Sequence, residues 1–428
     1  MRSPAALMLG VITTVLALGG CSDERQLGPT SDGTTIRDGA TAALAPISTA
    51  SPTSLTFLAT GLSYSQAFTV SLGIPSTLTA ASSNAAVATV SPTSTTRLKR
   101  GQSATFTVTP VGDGGCTITV TSRQIDGKPN TATVAVTVNT NPGPLLYVAS
   151  RFANSIRIYA AGASGNVSPM TSISGGNTQL SQPLAVTFDG TGKLYVANFG
   201  SITIYAAGAS GNMSPTATIS GGNTGLSFPA GVALDGSGKV YVSNATANSI
   251  TVYASGATGN VSPTATISGG NTGLNNPGGL AFDGSGNLYV SNFANNSITV
   301  YAAGASGNVS PTATISGGNT GLSSPAGMAF DGSGNLYVSN FGNNSVTVYA
   351  AGASGNVSPT ATITGTNTGL GSPYGLALNG SGQRYVANSS SNSVTSYTAG
   401  GSGNISPTAT ISGSNTGLSF PSGVALLP

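Results

Sequence analysis

The stretch PAGMAFDGSGNLYVSN, residues 325–340, decides the fold of most of this chain. It opens with a proline, runs through small and apolar residues, turns at Asp-Gly-Ser-Gly and continues into a second apolar run. Two short apolar runs joined by a glycine-rich turn are typical of a β-hairpin. The segments SVTVY and SPTATIT that follow predict two more strands, so the stretch opens a unit of four strands.

This four-stranded unit recurs at a nearly constant spacing. The tyrosine of its second strand returns at intervals of 48, 46, 48, 48 and 48 residues, at Tyr147, Tyr195, Tyr241, Tyr289, Tyr337 and Tyr385. The one short interval falls in the turn between Asn198 and Ser201, which leaves the strands themselves intact. Four short strands in each repeat are typical of a β-propeller blade, and six copies predict six blades.

The phase of the repeat at its two ends predicts how the ring closes. The repeat begins at Leu145 with a second strand and ends after Pro421 with a first strand. Together these ends complete one blade, which hides the strand edges that each would otherwise expose. The sequence therefore predicts an all-β chain whose residues 144–428 form a six-bladed β-propeller with a closing blade shared between N- and C-terminal strands. Because the chain enters where other blades carry Asp-Gly-Ser-Gly, the preceding domain is expected on the face with those turns.

Residues 51–140 show a second strand pattern, in which short alternating runs are separated by glycine-rich turns. The segment from Ser83 to Val90 resembles the repeat signature of bacterial Ig-like domains. That resemblance implies an Ig-like β-sandwich that acts as a spacer or an adhesive stalk. Cys116 lies in an alternating run and is expected to be a buried thiol within a strand.

The N-terminus has the features of an export signal. Arg2 precedes the apolar residues 5–18, a stretch too short to cross a bilayer as a permanent helix. The segment LGGC that ends at Cys21 resembles the lipobox of bacterial lipoproteins, which implies a signal peptide over residues 1–20 and a lipidated Cys21. The alternative is an ordinary signal peptide in which Cys21 has no role.

Residues 21–50 carry several charged side chains among Thr, Ala and Gly without an apolar period, and they predict a flexible tether. Lipidation of Cys21 would anchor the protein to a membrane of the cell envelope, facing the periplasm or the cell exterior. Ser22 follows the cysteine, which favours the outer membrane.

The propeller repeats resemble NHL-type propellers, a group similar to gluconolactonase-like and streptogramin-lyase-like propellers. This resemblance spans residues 144–428 and implies the fold without implying an activity. Gluconolactonase-like members hold a metal with acidic and Asn ligands that include a Glu, and streptogramin-lyase-like members rely on His and Glu. The chain has no His, and residues 144–428 contain no Glu, so neither set carries over. The sequence therefore predicts no catalytic residue, no metal, no cofactor and no enzyme.

The charged residues of the propeller predict turns rather than sites. Its acids are Asp189, Asp235, Asp283 and Asp331, all at one repeat position. An Asp before Gly-Ser-Gly accepts backbone hydrogen bonds in a tight turn, and one carboxylate in each turn is too few for a Ca²⁺ loop. Five Lys and Arg residues are scattered over the same region, so no basic stripe for nucleic acid forms. A monomer without a nucleic-acid partner is expected.

The residue before the repeated proline is expected at the mouth of the central channel. It differs between copies while its neighbours scarcely differ, and Tyr374 follows the proline in one copy. Around the ring Gln182 falls between Phe420 and Phe228, an amide between two rings that can bind a sugar or a peptide. The predicted ligand-binding residues are Gln182, Phe228, Asn276, Tyr374 and Phe420. The alternative is that Phe fills seams between blades.

Turns between the second and third strands add more Asn and Phe to this face: Phe152, Asn198, Phe199, Asn244, Asn292, Phe293, Asn340, Phe341 and Asn388. These side chains also suit a sugar or a peptide. The alternative is that the asparagines cap turns and the phenylalanines cover seams.

These patterns predict a binding or scaffold protein that presents the propeller to a neutral carbohydrate or protein partner at the cell envelope. One alternative is a lactonase- or lyase-type enzyme with an unfamiliar site, and another is a structural envelope protein without a specific ligand. Near-identical repeats favour binding or a structural role, because a catalytic site needs blades that differ.

Overall fold

The computed structural model describes residues 47–58, 65–72, 75–123, 129–139 and 143–427. The predicted signal peptide and Cys21 lie outside these residues. Within them no helix is long and apolar enough to cross a membrane. The regular structure of these described residues consists of β-strands and two single-turn 3₁₀ helices, Gly176–Thr178 and Ser414–Thr416.

The first part of the described chain is a sandwich of two four-stranded sheets. Its strands are β1 (Ile47–Ser51), β2 (Ser54–Leu58), β3 (Gln66–Leu72), β4 (Thr79–Ser82), β5 (Ala88–Ser91), β6 (Ser103–Pro110), β7 (Gly114–Arg123) and β8 (Pro129–Asn139). One sheet has the order β1-β3-β6-β5 and the other β2-β8-β7-β4, with β2 and β8 parallel. Alternate residues of both sheets, among them Phe68, Phe106 and Ile118, share one apolar core.

Two sequence expectations for this part can be compared with the structure. The tether predicted over residues 21–50 is wrong at its end, because residues 47–50 belong to β1 and pair with β3. A short edge strand rich in Ser and Thr can pair through its backbone without an alternation of apolar and polar residues. The sequence pattern therefore does not predict this strand. The expectation for Cys116 is confirmed, since it is buried in β7 and its Sγ accepts a hydrogen bond from Ser82 Oγ at 3.6 Å.

The rest of the chain consists of short strands in a repeating order. They are β9 (Leu145–Ser150), β10 (Ser155–Ala160), β11 (Thr171–Ser174), β12 (Ala185–Phe188), β13 (Leu194–Ala197), β14 (Ile202–Tyr205), β15 (Ala217–Ile219), β16 (Pro229–Leu234), β17 (Val240–Asn244), β18 (Ser249–Tyr253), β19 (Ala265–Ser268), β20 (Pro277–Phe282), β21 (Leu288–Asn292), β22 (Ser297–Tyr301), β23 (Ala313–Ser316), β24 (Pro325–Phe330), β25 (Leu336–Asn340), β26 (Ser345–Tyr349), β27 (Ala361–Ile363), β28 (Pro373–Leu378), β29 (Arg384–Asn388), β30 (Ser393–Tyr397), β31 (Ala409–Ile411) and β32 (Pro421–Leu427).

These strands form repeated four-stranded antiparallel sheets, as in a β-propeller. Five sheets contain four strands that follow one another in the chain, from β12–β15 to β28–β31. A sixth sheet has the order β11-β10-β9-β32, so its first strand comes from the far end of the repeat region. The predicted pairing of the last strand with the strand at Leu145 is therefore confirmed, with Val424 opposite Val148.

The first strands of the sheets lie side by side in a closed order: β12, β16, β20, β24, β28, β32 and again β12. Glycine permits this close approach. A Cβ on Gly423 would stand only 2.8 Å from the Cα of Ala185 on the neighbouring strand. The same position is glycine in four more sheets, which makes the channel between the first strands narrow.

Neighbouring sheets are also joined by a repeated polar contact. Asn212 Oδ1 accepts a hydrogen bond from the backbone N–H of Asn177 at 2.8 Å, and a Cβ on Gly175 would meet that side chain at 2.5 Å. The equivalent bond recurs at Asn260, Asn308, Asn356, Asn404 and Asn166. The repeated Gly and Asn of the sequence are therefore the residues that hold one sheet to the next.

The sandwich is hydrogen-bonded to a loop of the ring. Ser210, in the connection between β14 and β15, donates to the backbone oxygen of Thr56 at 2.8 Å and accepts from Gln66 Nε2 at 2.7 Å. Connections between third and fourth strands lie at the same end of a sheet as the Asp-Gly-Ser-Gly turns. The sandwich therefore meets the ring on the face that the sequence predicts.

Candidate functional site at the mouth of the ring

The six residues that precede the repeated prolines share a left-handed backbone. Their φ angles lie between 47° and 54° at Gln182, Phe228, Asn276, Ser324, Ser372 and Phe420. Such angles are uncommon outside glycine, and an L side chain there stores about 1–2 kcal/mol of strain. Every copy shares this conformation, so the strain belongs to the link between sheets. Only the identity of the side chain varies.

Three of these residues meet at Arg151, in the turn after β9. Its Nη2 and Nε donate hydrogen bonds to Gln182 Oε1 at 3.1 and 3.3 Å. Its Cζ lies 5.8 Å from the ring centroid of Phe228 and 5.7 Å from that of Phe420. The predicted arrangement of an amide between two aromatic rings is therefore present, with a guanidinium at its centre.

Two more phenylalanines pack against the outside of this cluster. The Cζ of Arg151 lies 5.5 Å from the ring centroid of Phe152, and that ring packs on Phe420 at 4.9 Å. Phe199 packs edge-on against Phe228 at 5.3 Å. Phe152 is 61% exposed and Phe199 52%, more than any other large apolar side chain in the described part of the chain. More than half of each of these two side chains is therefore accessible to a partner.

Tyr374 lines the channel next to this cluster. Burial raises the pKa of the Tyr374 phenol above its ordinary value, and the positive charge of Arg151 partly opposes that shift. The interaction puts Tyr374 within electrostatic reach of Arg151. Its ring also lies edge-on to Phe341, with centroids 6.3 Å apart. Tyr374 is therefore neutral at physiological pH and leaves the charge of the mouth to Arg151.

The channel beneath the mouth is narrow. It encloses about 80 Å³ and is lined by the first strands of all the sheets in the ring. That volume holds a few water molecules, whereas pockets for small-molecule ligands enclose roughly 300 Å³ or more. A partner of more than a few atoms therefore rests on the mouth instead of entering the channel.

Asn276 does not join the cluster. Its side chain is exposed, and its backbone N–H is held by Asn248 Oδ1 at 2.7 Å. Among the described residues, no hydrogen bond connects its side chain to Gln182, Phe228 or Phe420. The structure thus brings together three of the five predicted residues, with Tyr374 beside them.

The asparagines predicted to share this face are not on the surface. Those at the ends of the second strands are fully buried: Asn198, Asn244, Asn292, Asn340 and Asn388. Asn244 Oδ1 accepts from the Ser227 backbone N–H at 3.0 Å, and its Nδ2 donates to Thr251 Oγ1 at 3.1 Å. These amides bond within the protein and cannot meet a sugar. The alternative that they cap turns agrees with the structure.

The aspartates lie in hairpin turns at the opposite ends of the second strands. Asp235 Oδ1 accepts bonds from Ser237 N–H, Ser237 Oγ and Lys239 N–H at 2.7–3.0 Å. Partial burial acts to raise the pKa of Asp235, but the hydrogen bonds from Ser237 and Lys239 outweigh it, so the pKa lies below its ordinary value. No group of three metal-ligating residues of the His, Cys, Asp and Glu type occurs among the residues that the structure describes.

Sequence reasoning missed Arg151, because it counted this residue as one of five scattered bases. Strand pairing gives the signal that identifies it. Ser150 occupies the position of the buried asparagines, so Arg151 stands where Phe199, Phe293 and Phe341 stand in other sheets. The two remaining copies have Ala245 and Ser389 at this position, so Arg151 is the one charged residue in the column, and the alignment of repeats reveals that difference.

Solved structures similar to this chain share little sequence with it. A protein of unknown function from Bacteroides caccae is 11% identical, with a TM-score of 0.49, 66% of this chain and 98% of that chain covered. A protein from Lactobacillus plantarum is 16% identical, with a TM-score of 0.45 and coverages of 73% and 95%. A virginiamycin B lyase from Staphylococcus aureus is 14% identical, with a TM-score of 0.41 and coverages of 64% and 88%. No curated protein matches the sequence.

A family model does match. The model described as SMP-30/Gluconolactonase/LRE-like region matches residues 114–306 and, in an overlapping second alignment, residues 168–352. Overlapping matches are expected of near-identical repeats, and together they cover more than half of the chain. The sequence resemblance to gluconolactonase-like propellers is thereby confirmed. The chain belongs to the SMP-30/gluconolactonase/LRE-like region family.

Proposed function

We propose that the protein is an exported, lipid-anchored binding or scaffold protein that recognises a partner at the cell envelope. The observation that carries this proposal is the cluster in which Arg151 joins Gln182, Phe228 and Phe420 beside exposed aromatic rings. In this arrangement a polar side chain is held in place by its neighbours while aromatic rings beside it stay exposed. Such a combination of fixed polar groups and aromatic surface is suited to binding a partner. The export signal, Cys21 lipidation and the envelope location rest on the N-terminal sequence.

The architecture in this proposal is an Ig-like sandwich followed by a six-bladed propeller. Support for the ring comes from the six four-stranded sheets between Leu145 and Leu427 and from the shared closing sheet. Support for the sandwich comes from its two sheets around one core. The sandwich then acts as a spacer, and the mouth of the ring faces away from the membrane, because the sandwich contacts the other face.

The partner in this proposal is a carbohydrate or a protein that is neutral over most of its surface. Five Lys and Arg residues and four Asp residues nearly balance within residues 144–428. A balanced surface gives no long-range attraction to a highly charged polymer. Specificity then comes from the mouth, where side chains differ between otherwise similar copies.

The experiment is a binding screen of the purified protein against glycans and envelope fractions, followed by a double substitution at the mouth. Phe228→Asn with Phe420→Asn removes both rings and introduces the residue that Asn276 supplies at the same position. Asn tolerates the left-handed backbone, so the fold is retained. We expect at least a tenfold loss of affinity, about 1.4 kcal/mol.

The matched control is Ser324→Asn, which places the same residue on the far side of the ring and should bind normally. Full affinity in the double variant would move the site to another surface. A screen without any ligand would favour a structural envelope role.

Anchoring is tested separately through Cys21→Ser. If Cys21 is lipidated, this variant moves from the membrane fraction to the soluble extracytoplasmic fraction, because stable attachment requires the acyl chains. An unchanged distribution in fractionation would contradict lipidation.

Family membership favours a second candidate, a lactonase- or lyase-type enzyme with an unfamiliar site. On the binding proposal, the purified protein does not hydrolyse gluconolactone. Hydrolysis that Tyr374→Phe abolishes, with the fold retained, would establish the enzymatic alternative.

A further inference from the structure

We propose that Arg151 binds a carboxylate and that the ligand is a saccharide with a carboxylate on its ring, a uronic acid. This inference rests on the proposed function, because it names the ligand class for the same mouth. It adds one acidic group to a partner that is otherwise uncharged.

Among the described residues of the ring, none supplies a counter-ion to the positive charge of Arg151. A guanidinium carries five N–H donors, and Gln182 accepts from two of its nitrogens. The remaining N–H groups of the Arg151 guanidinium have no acceptor in the described parts of residues 47–139 and 143–427. The carboxylates of the ring lie in hairpin turns at the other ends of the second strands, roughly 15 Å away along a strand.

The guanidinium is also held in position before a ligand arrives. Gln182 fixes one edge, and the rings of Phe152, Phe228 and Phe420 surround it at 5.5–5.8 Å. Arginine binds carboxylates through two parallel N–H bonds, and such charge-assisted bonds are about twice as strong as neutral ones. A fixed guanidinium loses little conformational entropy on binding, so its free N–H groups favour a planar anion.

The shape of the mouth favours a sugar over a peptide. The channel of about 80 Å³ is much smaller than the pockets that hold small-molecule ligands, so it has little room for a large amino-acid side chain. The exposed side chains of Phe152 and Phe199 instead offer aromatic surface, against which the apolar face of a pyranose can pack. A uronic acid has both an apolar face and a carboxylate attached to its ring. The apolar face can pack against the phenylalanine rings while the carboxylate binds the guanidinium.

The test compares galacturonic acid, which carries one carboxylate, with its methyl ester by isothermal titration calorimetry on the purified protein. The two probes have the same ring and hydroxyl groups and differ in charge. We expect the acid to bind at least tenfold more tightly than the ester. Arg151→Gln should remove that preference, and Arg151→Lys should restore part of it because the charge returns without the planar fork. Lys193→Gln, the same charge change in a hairpin turn on the other face, is the control.

Equal affinity for acid and ester, or an undiminished preference in Arg151→Gln, would overturn the inference. So would the absence of binding to any acidic saccharide when another ligand binds the mouth. Loss of that other ligand in the double phenylalanine variant would still support the proposed function. The two proposals therefore fail on different measurements.

Discussion

At the scale of single residues, the links between sheets all require the same backbone conformation but accept different side chains. All six pre-proline residues have φ near 50°, although their side chains range from Ser to Phe. Asparagine tolerates this conformation better than serine or phenylalanine. The chain contains Asn276 and Ser324 at equivalent positions, which provides a matched pair for measuring the backbone cost.

We predict that Ser324→Asn stabilises the protein and that Asn276→Ser destabilises it, each by about 0.5 kcal/mol. Both side chains sit at the rim, so little packing changes. Denaturant unfolding at equilibrium measures both changes. Shifts of the same sign in the two variants would show that the left-handed backbone does not decide the free energy at this position.

At the scale of elements, one turn of the ring lacks a clamp that the others have. In five sheets, the Oδ1 of an asparagine in the turn before the third strand accepts from the pre-proline N–H of the next sheet at 2.7 Å. The turn from Asn198 to Ser201 is two residues shorter than its counterparts. Phe228 therefore lacks this partner, and Phe199 packs on its ring instead.

Insertion of two asparagines between Gly200 and Ser201 reproduces the turn that ends at Asn344 in another sheet. We predict that the second new side chain accepts from the Phe228 N–H and stabilises the protein by about 1 kcal/mol. Asn344→Gly, which removes the same clamp elsewhere and tolerates the left-handed backbone at this position (φ 52°), should cost a similar amount. Denaturant midpoints measure both variants, and slower amide exchange at Phe228 reports the new bond. A destabilised insertion variant with unchanged exchange would contradict the clamp.

Sequence alone predicts the elements well because a repeat shows each signal several times. The position of the short turn, the pairing of Pro421 onward with the strand at Leu145 and the meeting of Gln182 with two phenylalanines all follow from counting residues. A count of charges could not identify Arg151, because its importance comes from its position. The turn after β9 places it against Gln182, Phe228 and Phe420 at the mouth. Burial of Asn244 and its equivalents depends on packing between strands, which composition does not report.

At the scale of the whole molecule, a buried serine of the ring forms hydrogen bonds to the sandwich. Ser210 is 2% exposed and bonds to Thr56 and Gln66 of the sandwich. Ser306 occupies the same repeat position in another sheet and is exposed. The sandwich therefore docks on one particular loop, although the loop sequences are nearly the same.

Ser210→Ala is predicted to destabilise the protein by about 1–2 kcal/mol, because it leaves buried partners short of a hydrogen bond. Ser306→Ala should change the free energy of unfolding by less than about 0.5 kcal/mol, as is usual for surface substitutions. Equilibrium unfolding of the two variants in parallel gives the comparison. Equal effects would indicate that the sandwich and the ring are not coupled through this loop.

The shared closing sheet also has a consequence for synthesis. Pro421 pairs with Ser150, roughly 270 residues earlier in the chain. At about 5–20 residues per second, a ribosome needs roughly 14–54 s to make that intervening chain. Throughout this interval β9 keeps an edge of unpaired N–H and C=O groups, which is a template for pairing with another chain. The ring of the nascent protein therefore stays open until β32 has emerged, and a chaperone that covers the edge of β9 during this interval would prevent such pairing.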